Sequence, residues 1–438
     1  MRILYFTAGS ASMYCGSCLR DNALAAELLR QGHDVILTPF YTPTLTDEPN
    51  VSRPQVFFGG ISVYLQQRLA LFRKTPWALD RLWDSRFVLE RAARRRIPTS
   101  PRLLGEFTVA VLEGERGPVR KEVEKLLHWL RSEPAPHVVS LPFALLIALA
   151  GPIKAATGRP VCCTLQGEDL FLESLEPAHR ARALELIREN IRHVDAFLPV
   201  SDYYREFMSD YLGIPPGKMH AAPLGISLSG YQPRAARTGG VFRIGYFARI
   251  APEKGLKLLG EACVKLRRSG QLPAARLEAA GYLAPEHKPY LKSVHRLFEE
   301  AGLAGEFRYY GSPGRDGKIR FLESLDVFSV PSPYREPKGL PVLEAMASGV
   351  PVIAPRHGAF PEMLAKTHGG LLFEPHSVDS LADALLELYE DTDLRIELGR
   401  RGGLGVRAHY RIEDAARGVV GVFENICAET AGVERCSR

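Results

Sequence analysis

The chain has 438 residues, more than one domain usually holds and enough for two cores of about 200 residues each. Hydrophobic residues make up 46% and charged residues 24%, which describes a folded globular protein and excludes broad disorder. The 56 basic and 50 acidic side chains leave +6, modest for the length, so the balance permits anionic substrates or a membrane surface and gives no nucleic-acid footprint. Residues 3–7 read as a buried opening strand. A loop with Cys15, Gly16 and Ser17 then leads to a helix over 19–30, with Leu24, Ala25, Leu28 and Leu29 at helical spacing. Gly32 and His33 turn the chain into a strand at 35–37. Strand, ligand-facing loop, helix and strand form the repeating unit of a doubly wound parallel sheet. Between 68 and 102, Arg73, Lys74, Arg81, Arg86, Arg91 and Arg94 interleave with Phe72, Trp77, Trp83 and Phe87. This stretch reads either as a contact with an anionic membrane or as helices with packed aromatics and a solvated basic face. Further strands are expected at 137–141, 160–165 and 196–200. The longest nearly apolar run, 141–153, contains prolines and falls short of the roughly 20 residues that cross a bilayer.

The sequence loosens after Ile226, and residues 231–240 read as a linker between a first domain at 1–230 and a second at 241–411. The second half opens with a strand at 242 and continues through a helix at 255–269 and strands at 276–280, 306–310 and 325–330. A final helix and tail occupy 412–438. The common βα rhythm predicts two similar layered domains with a cleft between the C-terminal edges of their sheets. Arg249 follows the first strand of the second half, and Lys254 precedes Gly255, which opens a helix. A planar donor fork and a compact charge so placed suit one diphosphate, while a solvated arginine and a lysine beside Glu253 are the plainer alternative. Glu336 lies in the loop after Pro331, Ser332 and Pro333. Glu344, eight residues on, falls in the first turns of the next helix, where backbone N–H groups around Gly339, Leu340, Pro341 and Val342 suit phosphate. Carboxylates accept hydrogen bonds from sugar hydroxyls, so the pair can hold two polyols on either side of a diphosphate. From spacing alone, an ordinary loop glutamate and a first-turn glutamate read equally well.

The segment from Glu336 to Glu344 resembles the E-x7-E element of the retaining family 4 glycosyltransferases, and the likeness continues through Pro351, Val352, Gly358, Pro361 and Glu362. Residues 245–255 are similar to that family's G-R-L-x-x-x-K-G segment and keep its arginine and lysine, Arg249 and Lys254. Residues 15–35 resemble its N-terminal glycine pattern, with Gly16 at the second glycine and Cys15 replacing the first. The resemblance implies an α/β chain of GT-B fold: two Rossmann-like doubly wound domains facing each other across a deep cleft, with the last helix crossing back to the first domain. It implies transfer of a hexosyl group from a UDP-, GDP- or ADP-hexose to a carbohydrate or other hydroxyl acceptor. Transfer would retain configuration, with no covalent enzyme intermediate and no cofactor or metal. Arg249, Lys254 and Glu336 would carry catalysis. Gly16, Arg249, Lys254, Gly339, Leu340, Pro341 and Val342 would hold the donor, Glu336 its hexose hydroxyls, and Glu344 the ribose.

Two departures bear on mechanism. Residues 164–169 resemble T-x-H-G-T-D, but Gln166 stands at the histidine position, and an amide can donate a hydrogen bond yet cannot titrate near neutral pH. Glu168 and Asp169 beside it read as acceptor- or sugar-positioning groups, or as caps of their loop. Ser227 replaces the acid of a P-x-G-V-D-like segment. Asp391 and Asp393 form a D-x-D between two helices, where Asp393 reads as a cap and not as a metal ligand. Seven cysteines, an odd count, and an opening without a secretory pattern point to a reducing cytoplasm, with peripheral contact at the inner membrane face if 68–102 binds lipid. Cys15 and Cys18 form a C-x-x-C, and Cys162 and Cys163 a vicinal pair. Together they carry one competing reading, a thiol- or metal-dependent regulatory protein. Another is a nucleotide-sugar-binding protein without turnover, motivated by Gln166 and Ser227.

Overall fold

The structure is a computed structural model that describes residues 1–9, 15–58, 101–222, 224–233 and 239–436. The basic and aromatic stretch 68–102 thus lies outside the described residues except for its last two positions. The chain divides into two compact units, Met1–Pro223 with Ala415–Arg438, and Leu224–Asp414.

In the first unit, β1 (Arg2–Thr7), β2 (Asp34–Pro39), β3 (Val138–Leu141), β4 (Val161–Leu165) and β5 (Ala196–Pro199) form a parallel sheet in the order β2-β1-β3-β4-β5. Its strands are buried on both faces, which is why they read as apolar runs without alternation. Leu4, Phe6, Val139, Leu141, Cys163 and Leu165 join one core with Ile147, Leu186 and Phe197. The helix after β1 spans Gly16–Arg30. It begins three residues before the apolar periodicity does, because Gly16 and Ser17 bring no apolar side chain to the pattern.

The second unit has six parallel strands, β6 (Phe242–Phe247), β7 (Ala275–Ala280), β8 (Phe307–Tyr309), β9 (Val327–Ser329), β10 (Val352–Pro355) and β11 (Gly370–Phe373), in the order β11-β10-β9-β6-β7-β8. Counted from its own first strand, this is the 3-2-1-4-5-6 order of dinucleotide-binding sheets, whose direction reverses between β6 and β9.

The boundary differs from the expected linker. Leu224, Ile226 and Tyr231 are buried in the second unit's core. Tyr231 also accepts a hydrogen bond at its carbonyl from Arg407 (3.0 Å) and lies under the Arg315 guanidinium. Polar and proline neighbours hid this anchor in the sequence, so the second unit starts at 224, well before 231–240. The helix Ile412–Cys436 joins the first unit from Ala415 onward, with Ala416 and Phe423 fully buried. No helix among the described residues is long and apolar enough to cross a membrane.

Candidate active site

The loops that follow β6 and β9 flank the point where the second sheet reverses direction, the position at which such sheets bind ligands. After β6, the buried Tyr246 hydroxyl donates to the Arg249 carbonyl at 2.9 Å and fixes the start of the loop. A tight helical turn, Pro252–Lys254, ends in Gly255 at φ 76°. A β-carbon there would lie 2.0 Å from the Pro331 carbonyl oxygen, so only glycine lets the two loops meet. The Ser332 hydroxyl closes the junction by donating to the Glu253 carbonyl at 2.7 Å.

This junction brings Lys254 to Glu336, and ammonium and carboxylate form an ion pair with side chains 16% and 12% exposed. Burial pushes the Glu336 carboxyl up, but Lys254, Lys338 and the Gly339 N–H outweigh it and hold the group below its ordinary value. The loop after β10 supports Glu336 from behind. Ala359 donates its N–H to the Glu336 carbonyl at 2.9 Å, and a β-carbon on Gly358 would stand 2.6 Å from that oxygen. Arg249 reaches Glu253 at 3.0 Å and remains 39% exposed, so its fork is still accessible to a ligand.

Gly339, at φ 62°, starts the helix Leu340–Ala347. The four positions expected to offer N–H groups to phosphate are not equivalent. Gly339 donates to Glu336, Pro341 has no N–H, and Val342 donates to the Gly339 carbonyl at 2.9 Å. The Leu340 N–H is the one left for a ligand. Glu344 sits one turn on and pairs with Lys318 at 2.6 Å. Lys318 was missed in the sequence. It lies on the helix Arg315–Glu323, three and four residues before the buried Phe321 and Leu322, and a lysine on the apolar side of a helix is the signal that could have found it.

In the first unit, Gly16 opens the helix after β1, and Gln166, Glu168 and Asp169 follow β4. Both oxygens of Glu168 are engaged: one accepts from the Ala144 N–H (3.1 Å), the other from the N–H groups of Gln166 (2.8 Å) and Gly167 (3.0 Å) and from the Tyr204 hydroxyl (3.3 Å). Burial pushes its carboxyl up against these bonds. Asp169 accepts from the Tyr204 hydroxyl at 2.7 Å. These contacts order the loop after β4. Gln166 is held from the side of its amide nitrogen. Its amide nitrogen faces two acceptors, the Pro142 carbonyl at 2.8 Å and Asp21 Oδ1 at 3.5 Å, and these fix the orientation of the group. The oxygen, Oε1, is buried with no partner.

The cysteines and the D-x-D behave locally. Cys162 and Cys163 are successive residues of β4, so their side chains leave opposite faces of the sheet, and burial pushes both thiols well up. Asp391, not Asp393, caps the helix Thr392–His409 by accepting from the Leu394 N–H at 2.8 Å, because the helix starts two residues earlier than its apolar pattern.

Two parallel α/β units, the second with basic and acidic groups gathered where its sheet reverses, are the framework of a GT-B protein. Residues 22–225 match the family described as Glycosyl transferase 4-like domain, and residues 233–403 match Glycosyl transferases group 1. The chain belongs to this group 1, family 4 set of GT-B glycosyltransferases. It is 29% identical over 232 residues to a GDP-mannose-dependent alpha-(1-6)-phosphatidylinositol monomannoside mannosyltransferase of Mycobacterium tuberculosis, covering 50% of this chain and 58% of that one. It is 31% identical over 157 residues to a D-inositol 3-phosphate glycosyltransferase of Corynebacterium glutamicum, covering 36% and 37%. The chain thus spans less than two thirds of the length of these relatives. In fold it is similar to sucrose-phosphate synthase of Thermosynechococcus elongatus, with TM-score 0.71, 17% identity and coverage of 98% and 99%. It is also similar to Anabaena Alr3699/HepE, solved with UDP and glucose, with TM-score 0.67, 15% identity and coverage of 97% and 100%.

Proposed function

We propose that the chain transfers a hexosyl group from a nucleoside diphosphate sugar to a hydroxyl acceptor, with retention and without a covalent enzyme intermediate. The observation that carries this reading is the pairing of Lys254 with Glu336 at the reversal of the second sheet, beside the accessible Arg249 fork and the Leu340 N–H. Arg249 and Lys254 take the diphosphate. As the glycosidic bond breaks, negative charge grows on the leaving phosphate, and two cations already in place stabilise it without reorganisation. Glu336, kept ionised by its lysines, accepts hydrogen bonds from hexose hydroxyls, and Glu344 does the same for the ribose. The leaving phosphate oxygen takes the proton of the attacking hydroxyl as the new bond forms on the same face, so neither glutamate serves as nucleophile or acid, unlike the carboxylate pair of a glycosidase. Gln166 positions a substrate hydroxyl.

Arg249 and Lys254 supply the charge that a divalent metal supplies elsewhere, and Asp391 is engaged in capping, so we propose that transfer is metal-independent. The same reading places the chain in a reducing compartment, with Cys162, Cys163 and Cys263 as buried thiols. The mycobacterial relative is named for GDP-mannose and the Anabaena protein was solved with UDP, so UDP-, GDP- and ADP-hexoses all belong in the first donor screen. Inositol-containing acceptors, which the names of two relatives carry, belong beside simple sugars. Nucleoside diphosphate release is the assay. Release that requires an acceptor supports transfer. Tight donor binding with release no greater than background would instead indicate a nucleotide-sugar-binding protein.

A further inference from the structure

We propose that Lys318 is a positioning residue that holds Glu344 in the orientation in which it receives the ribose of the nucleotide. The inference rests on the ribose reading of Glu344 and adds the group that fixes it. Lys318 Nζ lies 2.6 Å from Glu344 Oε1, with side chains 4% and 14% exposed. The two residues come from different helices, Arg315–Glu323 and Leu340–Ala347, and the ammonium also lies 6.0 Å from the centre of the Phe247 ring, at the end of β6. The helix carrying Glu344 is thereby tied to the strand that delivers Arg249.

The burial separates this lysine from the other cations of the site. Arg249 is 39% exposed and Lys254 16%, whereas Lys318 is enclosed and cannot turn to an incoming phosphate without opening the packing around it. What it can do is hold one carboxylate oxygen. The other, Oε2, accepts no hydrogen bond from a described residue and is free to take the hydroxyls of a vicinal diol. A buried ion pair is a weak stabiliser compared with an apolar pair of the same volume, so packing alone does not account for a lysine here. A carboxylate freed from Lys318 would sample several rotamers, and binding would then have to reorder it.

The test compares the nucleoside diphosphate that binds the wild-type protein best, among UDP, GDP and ADP, with its 2′,3′-dideoxy form, by calorimetry. The wild type is expected to prefer the ribo form by about tenfold or more, the worth of hydrogen bonds to a charged acceptor. Glu344→Gln tests the underlying reading: an unchanged ratio in that variant rejects ribose recognition by Glu344, whatever Lys318 does. Given a fall in Glu344→Gln, Lys318→Met is expected to lower the ratio toward one, Lys318→Gln to give an intermediate value, and Lys318→Arg to restore most of it. Thermal melting checks that each variant folds. Wild-type preference in Lys318→Met, or equal weakening of both probes with the ratio intact, overturns the positioning role.

Discussion

At the level of single residues, the strongest consequence concerns the pairing of Lys254 with Glu336. The folded-state pKa of Glu336 lies below its ordinary value of 4.5, so its contribution to stability is present above that value and is lost as pH falls through the lowered one. In Lys254→Met the carboxyl loses the partner that most holds it low, and burial is then opposed by Lys338 and the Gly339 N–H alone, so the group moves up and the stability it contributes above the ordinary range shrinks. The melting temperature of Lys254→Met is therefore expected to fall furthest below wild type near pH 7, with the gap closing toward pH 4. A gap independent of pH would contradict the ion pair. In kinetics, Lys254→Met is expected to lower transfer by about 10²–10³-fold, as for removal of one group aimed at developing charge. The two glutamates should separate by ligand. Glu344→Ala is expected to weaken free nucleoside diphosphate by about 10–100-fold, and Glu336→Ala to leave that binding nearly intact while impairing the complete donor. Equal losses for free diphosphate in both variants would reject the division of roles.

At the level of elements, the site depends on loops that touch only because glycine stands at the contact. Gly255→Ala places a β-carbon against the Pro331 carbonyl and forces φ 76° on an L-residue, so a loss of about 1–3 kcal/mol or more is expected in urea unfolding. A neutral result would show that the β6 and β9 loops need not meet. Much of this was legible beforehand. The continuous apolar runs gave the strands, since parallel strands are covered on both faces, and Arg249, Lys254, Glu336 and Glu344 stand at strand-to-helix junctions. Long-range contacts were not legible. Lys318 lies 26 positions from its partner, and Tyr231 is anchored by Arg407, 176 positions away. The donors expected from Gly339 and Val342 were lost for a related reason, because the helix start and Glu336 use those N–H groups themselves. Gln166 was recognised as a departure, but its bonds to Pro142 and Asp21 join residues again distant in sequence. Gln166→Leu, which keeps the bulk and removes the amide with its bonds to Pro142 and Asp21, is expected to raise KM or lower kcat about tenfold without adding a limb to the pH profile. A new limb would show that the position governs a titrating group.

At the level of the whole molecule, each unit carries a recognisable order of parallel strands, and the charged groups gather at the reversal of the second. The proposal of metal-independent transfer rests on the cations placed there. Initial rates should survive thorough chelation, and activity that is lost and restored specifically by a divalent cation would reject that claim. The central claim is transfer with retention at a site built on Lys254 and Glu336. Its most direct test is nucleoside diphosphate release with and without acceptor, with the anomeric configuration of the product read by NMR, in the wild type and Lys254→Met. The account predicts acceptor-dependent release, a product with the donor's anomeric configuration, and loss of both signals in the variant. Donor binding without acceptor-dependent release, or a product of inverted configuration, would contradict it.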